Sequence, residues 1–167
     1  TLDLSSNTIT LPSGVGGKVL QVVSTNVTSA VSITVPDSNT LTNISGFSVT
    51  ITPSSASSKI FLLAQCVISL NHYGTLCGLC VQRGTTKLNS GGDNVSGTTV
   101  VGQNESSVYG FCTIPLQFLD SPNTTSSTTY NVGIRNMIGG DHTGYLNAAK
   151  NGSAKGSSVI TAYEIGA

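Results

Sequence analysis

An all-β chain, folded as an antiparallel β-sandwich or jelly roll behind a short extended N-terminal arm, is what the sequence predicts. Three observations carry that prediction. Apolar residues come in dense blocks of strand length, several alternating with hydroxyl residues at the period of two that a half-buried strand requires. Turn formers punctuate the blocks at intervals of roughly 8–12 residues, the rhythm of sandwiches and jelly rolls. No long segment combines helical periodicity with capping residues.

Leu2 and Leu4 alternate weakly, then Ile9 and Leu11, before the turn formers Pro12-Ser13-Gly14 and Gly16-Gly17. Thr1–Gly17 therefore reads as an arm and linker outside a domain spanning 18–167. The opening Thr suits removal of an initiator Met or a fragment of a longer chain. Lys18–Ser24 and Val31–Val35 are rich in β-branched residues. Phe47, Val49 and Ile51 alternate with hydroxyls, and Pro53 with a run of serines ends that strand. Ile60–Leu70 is apolar at both parities, as expected of a strand covered on each side. Leu76–Gln82 leads into a hairpin-like turn at Arg83-Gly84-Thr85, and a weak strand is expected near Thr98–Val101. Val108–Leu119 is a second long apolar block. Its Pro115 cannot donate to a ladder, so it requires an edge or a bulge. Tyr130, Val132 and Ile134 alternate as one strand, Tyr145-Leu146 mark a short one, and Ser158–Ile165 closes the chain.

Composition excludes several functions. Of 167 residues only 8% are charged, and seven basic side chains balance seven acidic ones. An average soluble domain carries about 25% charged residues, so electrostatics is not the main tool here. Nucleic-acid binding by counterion release needs clustered Lys and Arg, which are missing. No apolar run approaches the ~18 residues of a membrane span, so no membrane insertion is expected. Ser and Thr fill 46 positions, which keeps a surface wet without charge and makes it indifferent to salt.

No catalytic, cofactor or metal site emerges. Cys77 and Cys80 form one CxxC, but in a strand an i, i+3 pair points to opposite faces, and only a turn at Gly78 would bring both sulfurs to one ion. Cys66, Cys77, Cys80 and Cys112 read as buried free thiols of a chain folding in a reducing cytoplasm; the sequence does not settle a Cys66–Cys112 disulfide. Gly14-Val15-Gly16-Gly17-Lys18 fails as a phosphate loop, because Pro12 replaces the leading Gly and Val19 the magnesium-binding hydroxyl. His72 and His142 sit at loop tips without a nucleophile elbow. Six Asn-x-Ser/Thr sequons barely exceed chance. Candidate contact residues are loop residues and tyrosines able to stack on sugars: Tyr73, Asp93, Asn94, Tyr109, Asp141, His142 and Tyr145.

An ordered series of phrases adds a family resemblance. The phrases are Gly17-Lys18-Val19-Leu20-Gln21-Val22-Val23, Gly46–Pro53 (GFSVTITP), Ser58-Lys59-Ile60, Val81-Gln82-Arg83-Gly84, Phe118–Thr125 (FLDSPNTT), Tyr130-Asn131-Val132 and Ser158–Ile165 (SVITAYEI). Over roughly 17–167 the chain resembles the terminal domain of tail-fibre and other virion structural proteins of marine tailed phages, including cyanophages. The resemblance implies a trimeric jelly roll of the tumour-necrosis-factor-like class. It also implies a virion protein assembled in the host cytoplasm: a homotrimeric fibre tip or surface projection touching a host glycan or protein, with Thr1–Gly17 joining it to other virion proteins. Capsid decoration and a free carbohydrate-binding module are the alternatives; an enzyme is not expected. Two long strands apolar on both sides fit subunits packed against one another.

Overall fold

In a computed structural model, residues 18–35, 41–70, 76–89, 100–102, 111–137, 140–149 and 156–166 are described. The arm Thr1–Gly17 lies outside them. Eleven strands and no helix occur among these residues: β1 (Val19–Val27), β2 (Val31–Val35), β3 (Thr42–Ile51), β4 (Lys59–Leu70), β5 (Leu76–Arg83), β6 (Thr86–Lys87), β7 (Val100–Gly102), β8 (Cys112–Asp120), β9 (Thr128–Asn136), β10 (His142–Leu146) and β11 (Ser158–Ile165).

The strands occupy eight positions in two antiparallel sheets. On one edge of β4, β11 pairs with residues 59–65 and β10 with residues 68–70, end to end; β8 takes the other edge. β1 and β2 likewise lie end to end along β11 and β10. The first sheet therefore runs β1/β2, β11/β10, β4, β8, and the second runs β3, β9, β5, then β6 and β7 on the far edge of β5. Numbered along the chain, those positions are 1-8-3-6 facing 2-7-4-5. This is the winding of a jelly roll, a long hairpin rolled so that its two ends share one sheet. Pro115 sits on β8, which pairs only with β4 among the described strands, and so meets the edge requirement.

Alternating side chains from both sheets fill the core: Phe47, Val49 and Ile51 of β3, Ile60 to Leu70 at even positions of β4, Leu79 and Val81 of β5, Ile114 and Leu116 of β8, Val132 and Ile134 of β9. β3 keeps both Ile44 and Phe47 inward, although they stand three positions apart, because its ladder shifts register between Asn43 and Ser48. Gly46 supplies the left-handed φ of +73° that this bulge needs.

Two buried polar clusters lock the sandwich. Asp120, ending β8, receives the Tyr130 hydroxyl from β9 at 2.8 Å and the Arg83 guanidinium from β5 at 2.8 Å, so one carboxylate ties the first sheet to two strands of the second. Burial, then the hydrogen bond and charge of Asp120, push the Tyr130 phenol above its ordinary range. Asn147 closes the break between β10 and β11. Fully buried at φ +60°, its amide donates to Val67 O (2.8 Å) and its carboxamide to Val27 O (2.6 Å) and Ser29 O (3.2 Å). Its side-chain oxygen accepts from the Ser158 hydroxyl at 2.7 Å, and that hydroxyl also accepts from the Val67 amide at 2.9 Å. The backbone of β4, the end of β1 and the start of β11 thus meet in one clasp.

The register refines the reading of the two long apolar blocks. Among the described residues neither Ile60–Leu70 nor 111–119 is covered along its whole outward side, and the outward side of β8 is largely polar. On β8 the outward positions are Thr113, Pro115, Gln117 and Leu119, all exposed; residues 108–110 lie outside the described set. On β4 the outward side is bare at one end only.

Candidate interaction surface

Tyr73, Asp93, Asn94 and Tyr109 lie outside the described residues, as does His72. Asp141 is exposed at the corner before β10, and His142 opens that strand opposite Val35. The Asn136 carboxamide donates to Gly140 O across this corner. Tyr145 stands half-buried on the outward side of β10, between Ser32 of β2 and Ser69 of β4. Asp141 and His142 share one corner; Tyr145 belongs to the sheet face.

The cysteines divide as strand parity requires. Cys77 faces the core with Leu79 and Val81, whereas Cys80 is buried on the other side of β5. Cys66 points into the core opposite Ile114, two residues out of step with exposed Cys112, and none of the four cysteines is in a disulfide. Burial pushes Cys66 and Cys77 up to about 12, so their reactive thiolate is scarcer by roughly a thousandfold. A thiol reagent at neutral pH is expected to titrate one group per native chain, Cys112, and the other three only in denaturant. Prompt reaction of two or more native thiols would contradict this arrangement.

Glu164 is buried under the β3–β4 turn, where its carboxylate accepts from the Ser54 amide (2.7 Å) and hydroxyl (2.6 Å). Burial alone raises a carboxyl pKa, but these hydrogen bonds outweigh it and hold the group below its usual 4.5. A folded value below the unfolded one gives stability that is complete above pH 4.5 and is lost as pH falls toward the folded value. Urea midpoints between pH 3 and 6 are expected to fall with acid, and less steeply in Glu164→Gln.

The outward face of the first sheet falls into two halves. Toward β10 the chain covers itself. Gly156, whose amide donates to Asn147 O, leaves no room for a side chain: a Cβ would stand 2.7 Å from Val67 Cγ1. The Ser69 hydroxyl, buried, donates to Ala148 O at 2.6 Å beneath Ala148 and Ala149. Toward the start of β1 no described residue lies over the sheet. The registers align Val22, Tyr163, Phe61 and Leu119 in one row across all four strands, a span of about 14 Å. Val22 is 54% and Leu119 50% exposed; Phe61 and Tyr163, between them, are half-buried with ring centroids 6.1 Å apart. Val19-Ile165-Lys59 flank the row on one side and Ser24-Thr161-Leu63-Gln117 on the other, with Leu63 41% exposed. Lys59 is the one charge in these three rows. The outward side of the second sheet differs, carrying Ser48, Thr50, Thr129 and Asn131, with Thr50 and Thr129 hydroxyls 2.8 Å apart.

Reading apolar blocks found Phe61, Leu63 and Leu119 but not Val22 and Tyr163 as their neighbours. Strand pairing creates that row, and the only local signal was apolar residues at both parities in Val19–Val23 and Ser158–Ile165.

No protein-family model matches the chain, and no curated protein matches it. Among solved structures it is similar to VP2 of infectious bursal disease virus in a subviral particle, at 13% identity and a TM-score of 0.43, over 88% of this chain and 38% of that one. T=1 particles derived from the same virus give 13% identity and 0.42 over 88% and 36%. The structure of its Gt strain gives 12% and 0.41 over 88% and 38%. The chain thus spans less than two fifths of those it resembles.

Proposed function

We propose that the protein is a virion structural protein, a homotrimeric fibre tip or surface projection whose outer loops contact the host surface. The observation that carries the reading is the bare apolar half-face on a jelly roll otherwise dressed in hydroxyls and almost without charge. The largest contiguous apolar patch on a protein surface is often functional, and one of several hundred Å² on a face otherwise rich in hydroxyls is the natural place for a contact. An assembly held this way is insensitive to ionic strength, which suits a particle exposed to salt. The phage-like phrases add support, since Val22, Leu119 and Tyr163 fall within them. Thr1–Gly17 is the proposed link to other virion proteins. Asp141, His142 and Tyr145, with the loops that carry Tyr73, Asp93, Asn94 and Tyr109, are the proposed outward contacts.

The test has two steps. Light scattering on the purified chain is expected to give the mass of three 17.0 kDa chains, unchanged between low and high salt. Immunogold labelling of particles then separates tail tip from capsid surface, the second location favouring decoration. A stable monomer that binds glycans and associates with no particle overturns the proposal in favour of a free carbohydrate-binding module.

A further inference from the structure

We infer that the Val22-Tyr163-Phe61-Leu119 row is the contact between copies of this chain, meeting head to tail so that Val22 of one copy packs against Leu119 of the next. This deepens the self-assembly reading and rests on it. The occupant follows from three features. The five apolar side chains Val19, Val22, Leu63, Leu119 and Ile165, with the two half-buried rings, form a patch on the order of several hundred Å², comparable to the largest patch of a monomer, which is often functional, and to about half of the ~800 Å² each partner gives to a standard interface. The chain covers the other half of the same face with Ala148, Ala149 and Gly156, so among the described residues the opening is confined to one end of the sheet. Both ends of the row are apolar and equally exposed, and they lie on opposite outer strands, β1 and β8. Two apolar margins on opposite outer strands allow a heterologous contact, β1 margin to β8 margin, which forms a ring when the rotation closes. Three sheets facing one axis bring each β1 margin to the next β8 margin and place Phe61 and Tyr163, at the centre of the row, nearest the axis. With Lys59 as the only charge there, no ion pair selects the partner, and shape and apolar area carry the contact.

The experiment is a cysteine cross-link in the whole chain, in a Cys112→Ser background so that the one exposed native thiol is removed. The Val22→Cys, Leu119→Cys double variant, oxidised at low protein concentration, is expected to run as a closed covalent trimer on a non-reducing gel. Each single variant stays uncross-linked. The same double variant beginning at Lys18 is expected to cross-link equally well. A native chain that is oligomeric by mass while the double variant gives no intersubunit bond overturns the row but leaves self-assembly standing. A cross-link lost on removing Thr1–Gly17 also overturns it, since the arm would then be the occupant. A native chain that is monomeric by mass overturns both.

Discussion

Asn147→Ala is expected to destabilise the fold by about 3 kcal/mol, read from urea midpoints at fixed chain concentration because assembly itself shifts apparent stability. The side chain is fully buried and makes three hydrogen bonds that nothing replaces: two donated to Val27 O and Ser29 O, and one accepted from Ser158. Truncation takes one partner from each of the Val27 and Ser29 carbonyls and from the buried Ser158 hydroxyl, at roughly 1 kcal/mol each. It also places alanine at φ +60°, which asparagine tolerates and alanine resists by about 1 kcal/mol. Asn147→Gly removes the conformational part alone and is expected to recover about 1 kcal/mol of the loss. If both variants melt with the native chain, the clasp does not hold the two half-strands together.

Asp120→Ala is expected to cost a similar amount, about 3 kcal/mol, for a different reason. Its carboxylate is the shared acceptor of the Tyr130 phenol and the Arg83 guanidinium, the phenol buried and the guanidinium partly open to water. Removing it strands a buried hydroxyl and an unpaired cation, whereas Tyr130→Phe leaves the ion pair intact and is expected to cost only about 1 kcal/mol. Combining the two is expected to cost less than their sum, because the hydroxyl that Asp120→Ala strands is then absent. The raised phenol adds a pH signature. A folded value above the unfolded 10.0 gives stability that is complete below pH 10 and is lost as pH rises toward the folded value. That alkaline loss is expected to be shallower in Tyr130→Phe, leaving the share that the raised Cys66 and Cys77 thiols contribute.

The Asp120 cluster also shows what was legible in the sequence. Arg83, Asp120 and Tyr130 come from three separate phrases of the phage-like series, and the fold brings them to one carboxylate. The phrases therefore mark scaffold contacts, which is why they point to a fold more firmly than to a receptor. Local period-two patterns such as Phe47-Val49-Ile51 and the placement of Pro115 were readable, since each depends on one strand. The start of β3 at Thr42 was not, because the Gly46 bulge breaks the alternation there. Tyr145-Leu146 and Ser158–Ile165 read as separate strands, and that they form one interrupted position is a property of β4, which pairs with both. The same limit hid the apolar row: parity gives a face, while the neighbours on that face depend on register between distant segments.

The clasp at Asn147 has a consequence for engineering. Asn147 and Gly156, at the two ends of the link from β10 to β11, are bonded to each other, Gly156 N to Asn147 O, so the chain leaves and rejoins the sheet at adjacent points. Closing a longer loop costs only about 0.6 kcal/mol per doubling of its length. A foreign epitope grafted between Ala149 and Gly156 is therefore expected to stand on a fixed pedestal at one end of the sandwich.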